Sequence, residues 1–214
     1  MLLRVGFRKD MEDIVMIGFG GHAKSVVDSI IRDGKYNVVG YTDKSNYGVS
    51  YEYLGSDQIL RNLYNSGVRN AQLSIGYLGN SKLRYNLAQS VKGIGFFFPP
   101  IIDPSSIVAN SSHISEGVFV GKNSVINAEA FIGEFAIINT SAIVEHDCNI
   151  GAFTHIAVGT TICGSCDIGE NAFIGANTTV IQGIKVGDNS IIGAGGLILA
   201  DVPSNAKVLG VWKG

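Results

Sequence analysis

From Ile102 to Ile198 an aliphatic residue stands at every sixth position without a break, beginning Ile102, Val108, Ile114 and Val120 and ending Val180, Val186, Ile192 and Ile198. Four residues after each comes a small or slim side chain, among them Ser106, Ser124, Ala136, Thr154 and Ala172, with Ile184 the bulky exception. Often the next residue after the aliphatic is Gly, as at Gly121, Gly133, Gly151 and Gly169. A period of six fits neither the 3.6 of a helix nor the simple alternation of a strand. It fits a hexapeptide solenoid, in which three short strands make a triangular coil of roughly eighteen residues. Alternation within each strand sends the aliphatic and the small residue two before it inward. The third and fourth hexad positions then form exposed corners, and the second and sixth point out from the flat faces.

The first half of the chain follows a different rhythm. Ile14 to Ile17 reads as a buried strand entering a glycine turn, Gly18-Phe19-Gly20-Gly21, and then a helix from Ala23 to Arg32. A strand over Asn37–Tyr41, a helix over Ser56–Asn65 capped by Ser56, a strand over Ala71–Ile75, a helix over Asn80–Val91 and a last strand over Ile94–Phe98 follow. Strands alternating with helices imply a small parallel sheet. The expected architecture is an α/β N-terminal domain with a Rossmann-like sheet over residues 1–100, then an all-β parallel β-helix over 101–214.

Lys plus Arg number 16 against 18 Asp plus Glu. The lack of a basic cluster argues against nucleic acid and anionic membranes as partners. No apolar run approaches the ~20 residues of a membrane span, and acidic residues Asp10, Glu12 and Asp13 interrupt any signal-peptide pattern near the start. Residues 1–10 read as an extension ahead of the first strand. Cys148 and Cys166 hold the small inward position, so they read as core filler in a reduced, cytoplasmic setting rather than as a metal or redox pair with Cys163.

The glycine turn places backbone N–H groups and a helix N-terminus where a phosphate can bind, the alternative being a tight packing turn. Asp43, at the end of the second strand, is either a ribose or base contact or a turn residue, and His22 is either a site residue or a local cap. In the solenoid, Asn139, Glu145-His146-Asp147 and His155 interrupt the hexads. His146 and Asp147 fall at a corner, and Gly164, one coil further, falls directly above His146. A base beside a side-chain-free N–H suits acyl transfer, in which one takes a proton and the other stabilises an oxyanion. His155 and Asn139 fall on the opposite face, so a site using both sets forms between neighbouring chains, most simply in a trimer. The alternative for His155 is a plain outward-facing polar residue. His113, His146 and His155 do not converge, which argues against a zinc hydratase of the gamma carbonic anhydrase kind.

Gly18-Phe19-Gly20-Gly21-His22-Ala23-Lys24, Gly40-Tyr41-Thr42-Asp43, Ile75-Gly76, the hexads and Glu145-His146-Asp147 together resemble the hexapeptide sugar acetyltransferases of the NeuD/PglD family. The resemblance implies a left-handed β-helix and a homotrimer that uses acetyl-CoA, without a metal, to N-acetylate a nucleotide-linked amino sugar for surface glycan synthesis. It implies His146 as general base, Asp147 as its orienting partner and Gly164 as oxyanion donor. Asn139 and His155 would line the acetyl-CoA side and interface, and Gly18, Gly20, Gly21, His22 and Asp43 the sugar-nucleotide loop. Lys44 and the Trp212 tail depart from the family pattern. O-acetylation of sialic acid or another sugar, and a non-catalytic sugar-nucleotide scaffold, are the alternatives.

Overall fold

The computed structural model describes residues 11–77 and 82–214. The extension and the expected start of the third helix at Asn80 lie outside them. The first domain runs β1 (Glu12–Ile17), α1 (Gly21–Asp33), β2 (Tyr36–Thr42), β3 (Tyr53–Gly55), α2 (Leu60–Asn65), β4 (Asn70–Leu73) and α3 (Lys82–Ile94). The four strands are parallel in the order β3-β2-β1-β4. β1 is central and covered on both sides, which is why Ile14 to Ile17 is an unbroken apolar run, at most 1% exposed. α1 ends at Gly34, whose left-handed φ of 73° lets its N–H reach the Ile30 carbonyl.

Two expectations are corrected and one strand is added. Ser56 makes no side-chain cap; a 3-10 turn, Asp57–Ile59, precedes α2, and Asp57 instead accepts from the Thr42 hydroxyl at 2.6 Å. The last strand over Ile94–Phe98 does not form, because α3 runs on to Ile94 and Phe97 makes only an isolated bridge to Asn70. β3 carries no strand signal in the sequence.

The second domain is a left-handed parallel β-helix of two-residue strands in three sheets. The first face begins at Ile101–Ile102, the second at Ile107–Val108 and the third at His113–Ile114. The aliphatic rungs fill the axis, with Ile132, Ile138, Val144, Ile150 and Ile156 fully buried beside Ala136, Ala142 and Thr154. The chain turns at the fourth hexad position with positive φ, as at Asn123 (54°), Ser141 (56°) and Asp147 (57°). The coils stack so tightly that a Cβ on Gly151 would sit 2.5 Å from the Glu170 nitrogen.

Each face presents two outward positions per coil, and at the sixth hexad position the three faces differ. There the second carries Ile107, Val125, Ile143, Thr161, Thr179, Leu197 and Val211, none of them charged, while Glu145 stands at its second hexad position. The third carries His113, Phe131, Asn149, Asp167 and Lys185. The first carries Ile101, Phe119, Ile137, His155, Phe173, Ile191 and Lys207, and the first domain covers its earlier part, Phe119 and Ile137 among them. Phe119 and Ile137 join the core beneath α1, and corner residues Phe135 and Phe153 join the core beneath α3. These two corners, expected in solvent, are therefore buried.

Polar contacts fasten the domains together. Asp103, fully buried, accepts from Ser29 at 2.6 Å and from Arg32 at 2.8 Å, both on α1. Arg84 on α3, 1% exposed, donates to the Phe135 and Phe153 carbonyls at 2.7 and 3.3 Å. At the far end Trp212 packs on the solenoid core and its indole donates to the Asp201 carbonyl at 3.0 Å.

Candidate active site

Two clusters emerge, on opposite sides of the prism. His146 and Asp147 occupy the corner between strand Ile143–Val144 on the second face and Asn149–Ile150 on the third. Their side chains are about half exposed and meet at 2.7 Å between Nδ1 and the Asp147 carboxylate. That hydrogen bond raises the His146 pKa above the ordinary histidine value. The carboxylate fixes the proton on Nδ1, which leaves Nε2 as the basic atom. Gly164 lies against the ring: a Cβ there would be 2.6 Å from both Cε1 and Nε2. Its N–H is used by no acceptor among the described residues. Glu145 turns away to accept from Asn127 at 2.9 Å.

The second cluster lines a cavity of about 740 Å³ between the first domain and the solenoid. The glycine turn, Asp43 and Tyr47 form one end, and Asn139, Thr140, His155 and Val158 the other, with Leu83 and Leu87 of α3 alongside. No atom lies within 4 Å of a Cβ built on Gly20 or Gly21. The start of α1 has no side-chain cap and no acidic residue in its first turn. Open N–H groups in a concave site are suited to an anionic group. Gly18, at φ 85°, could carry no Cβ, which would fall within the Ile75 side chain. Asp43 lines the cavity, and its carboxylate accepts the N–H groups of Phe19 (2.8 Å) and Lys44 (2.6 Å), as a turn residue does.

His155 differs from the outward-facing alternative. It does point out from the solenoid, but the first domain covers it to 7% exposure. Its Nδ1 lies 2.8 Å from the Tyr77 carbonyl and its Nε2 3.1 Å from the Asn139 amide. Burial, reinforced by Arg84, lowers its pKa to about 4. His22, edge-on to Phe119, is lowered to about 3, again by burial, with His155 and Arg84 contributing. Its Nε2 is buried and unbonded. The structure thus places Asn139 and His155 with Gly18, Gly20, Gly21, His22 and Asp43 in one cavity within the chain, and His146, Asp147 and Gly164 elsewhere. The sequence reading missed Tyr77, because its contact to His155 is made by a main-chain carbonyl.

Among the described residues no group of His, Cys, Asp and Glu could hold a metal, and the cysteines are free. Cys148 and Cys166 are buried thiols directed at the Cys163 and Ile181 carbonyls, both at 3.1 Å. No helix among the described residues is long and apolar enough to cross a membrane.

A hexapeptide β-helix with a basic corner and a nucleotide-type α/β domain defines the class of hexapeptide acyltransferases. The profile of the PglD N-terminal domain matches residues 13–91, and that of the hexapeptide repeat of succinyl-transferase matches residues 165–200. A histidine-to-asparagine mutant of perosamine N-acetyltransferase from Caulobacter crescentus, solved with CoA and GDP-perosamine, is 34% identical, with a TM-score of 0.88 over 92% of this chain and 93% of that one. The acetyltransferase domain of PglB from Neisseria gonorrhoeae, solved with acetyl coenzyme A, is 30% identical, with a TM-score of 0.87 over 94% and 97%. Curated protein sequences give no match. The chain belongs to the PglD family of hexapeptide sugar acetyltransferases, with acetyl-CoA as cosubstrate.

Proposed function

We propose that this acetyltransferase N-acetylates the amino group of a nucleotide-linked amino sugar, with His146 as general base. The observation that carries the reading is the corner itself: a carboxylate-oriented imidazole lies against an unused Gly164 N–H. The amine attacks the thioester carbonyl carbon, forming the C–N bond, while its proton passes to His146 Nε2. Gly164 N–H stabilises the oxyanion until the C–S bond breaks, and the departing thiolate recovers the proton from His146. The relative solved with GDP-perosamine favours an amino sugar over a hydroxyl acceptor.

The sugar nucleotide is assigned to the cavity, with its diphosphate at the glycine turn. Because that cavity and the His146 corner lie on opposite sides of one prism, the reaction joins the cavity of one chain to the corner of the next. The sixth-position column of the second face supports a homotrimer, as its uncharged and mostly apolar residues, including Ile107 at 68% exposure, suit a subunit contact. The reaction is placed in the cytoplasm, where acetyl-CoA is available.

The test is thiol release from acetyl-CoA in the presence of separate nucleotide-linked amino sugars and sialic acids. Release with an amino sugar, reduced about 10²- to 10⁴-fold in His146→Ala while acetyl-CoA still binds, is expected. Near-normal turnover by the variant would reject His146 as base, and release only with sialic acid would replace N-acetylation by O-acetylation.

A further inference from the structure

The cavity contains a chain of hydrogen bonds whose direction is fixed at each link. Thr140 N–H donates to Asn139 Oδ1 at 2.8 Å, so the Asn139 amide nitrogen is the atom turned toward His155 Nε2, 3.1 Å away. An amide nitrogen only donates, so Nε2 must accept. At the other side of the ring, Nδ1 faces the Tyr77 carbonyl at 2.8 Å. A carbonyl only accepts, so Nδ1 carries the proton. Both neighbours therefore demand the same tautomer. A second proton on Nε2 would face the Asn139 amide donor, and the nearby Arg84 charge on α3 likewise disfavours imidazolium.

The Tyr77 carbonyl is held in place by its own side chain. The phenol donates to the Asn171 carbonyl at 2.6 Å, one coil beyond His155, and the ring meets Phe173 edge-on at 6.2 Å between centroids. Tyr77 is 2% exposed. An amide nitrogen has two hydrogens, and His155 engages one of the pair on Asn139.

We propose that Tyr77 is a positioning residue for the acceptor sugar: it holds His155 as the Nδ1–H tautomer and so, together with the Thr140 N–H, keeps Asn139 as a hydrogen-bond donor to the bound sugar. The second Asn139 N–H then selects a sugar presenting an acceptor oxygen at that point and disfavours one carrying an ammonium or no polar group there. This specificity rests on the assignment of the cavity to the sugar nucleotide; the tautomer does not.

The experiment is nitrogen-15 NMR of the histidine rings in the full chain, for wild type and Tyr77→Phe, paired with KM values for the nucleotide-linked amino sugar and for acetyl-CoA. The wild type should show His155 as the neutral Nδ1–H form. Tyr77→Phe keeps the ring but frees the carbonyl, so mixed tautomers and a sugar KM raised about tenfold, the equivalent of one hydrogen bond, are expected with the acetyl-CoA KM unchanged. As a second variant, Asn139→Asp replaces the donor by an acceptor and should make His155 imidazolium near neutral pH. A wild-type Nε2–H tautomer, or Tyr77→Phe with unaltered tautomer and sugar KM, would overturn the proposal. The expected tautomers in a protein that turns over no nucleotide-linked amino sugar would uphold the positioning of His155 and overturn the acceptor specificity along with the proposed function.

Discussion

At His146 the imidazole is exposed and hydrogen-bonded to a carboxylate, whereas at His22 and His155 it is buried away from one. The same side chain is consequently pushed in opposite directions: above the ordinary 6.5 at the corner, and down to about 3 and about 4 in the cavity. A base must be neutral to accept a proton, so the two cavity histidines are neutral throughout the range in which His146 titrates. The rising limb of kcat/KM with pH should therefore inflect above 6.5 and report His146. Asp147→Asn replaces the charged acceptor that favours imidazolium by a neutral amide, so the inflection should move to lower pH while the rate falls about 10- to 100-fold as the ring's orientation and tautomer are less firmly held. A limb that stays in place in this variant would assign the titration to another group.

The element on which the cavity depends is α1. Its start carries His22 beside the glycine turn, and Ser29 and Arg32 near its end grip Asp103 at the foot of the solenoid. Burial alone would raise the Asp103 pKa, but hydrogen bonds from Ser105 and Ser29, with the Arg32 charge, bring it down to about 2. A depressed carboxylate pKa stabilises the fold above the unfolded value of 3.8 and ceases to do so as pH falls through about 2. Denaturant titrations of wild type should show that loss between about pH 4 and 2, and Asp103→Asn should be less stable at pH 7 by about 1–3 kcal/mol without the same acid-linked loss. Equal acid sensitivity in the two proteins would show that Asp103 is not responsible. The hexads were legible because each rung meets the same surroundings as the rung eighteen residues away, so Gly164 could be set above His146 by counting. Phe135 and Phe153 defeated that counting: they share the corner phase of Asn123 and Ser141, and an aromatic side chain at such a corner was the only sign that α3 would cover it. β3 is too short to show a period, and the role of Tyr77 resides in a carbonyl that every residue possesses.

For the molecule as a whole, the proposed reaction makes assembly part of the chemistry, because its two half-sites face away from each other. Ile143→Arg would place a charge midway along the apolar second face, where an assembled neighbour leaves it no water. The expected outcome is a monomer by light scattering that still binds the sugar nucleotide but no longer releases thiol from acetyl-CoA. A variant that is active as a monomer would place the entire reaction within one chain. The outward positions, separate from the inward column, carry a further consequence. Since the axis is filled by Ile and Val whatever stands outside, an exterior residue can change without re-tuning the interior. Acceptor choice, subunit pairing and folding are thereby written in different columns of one text, and descendants of such a chain can revise one without erasing the others.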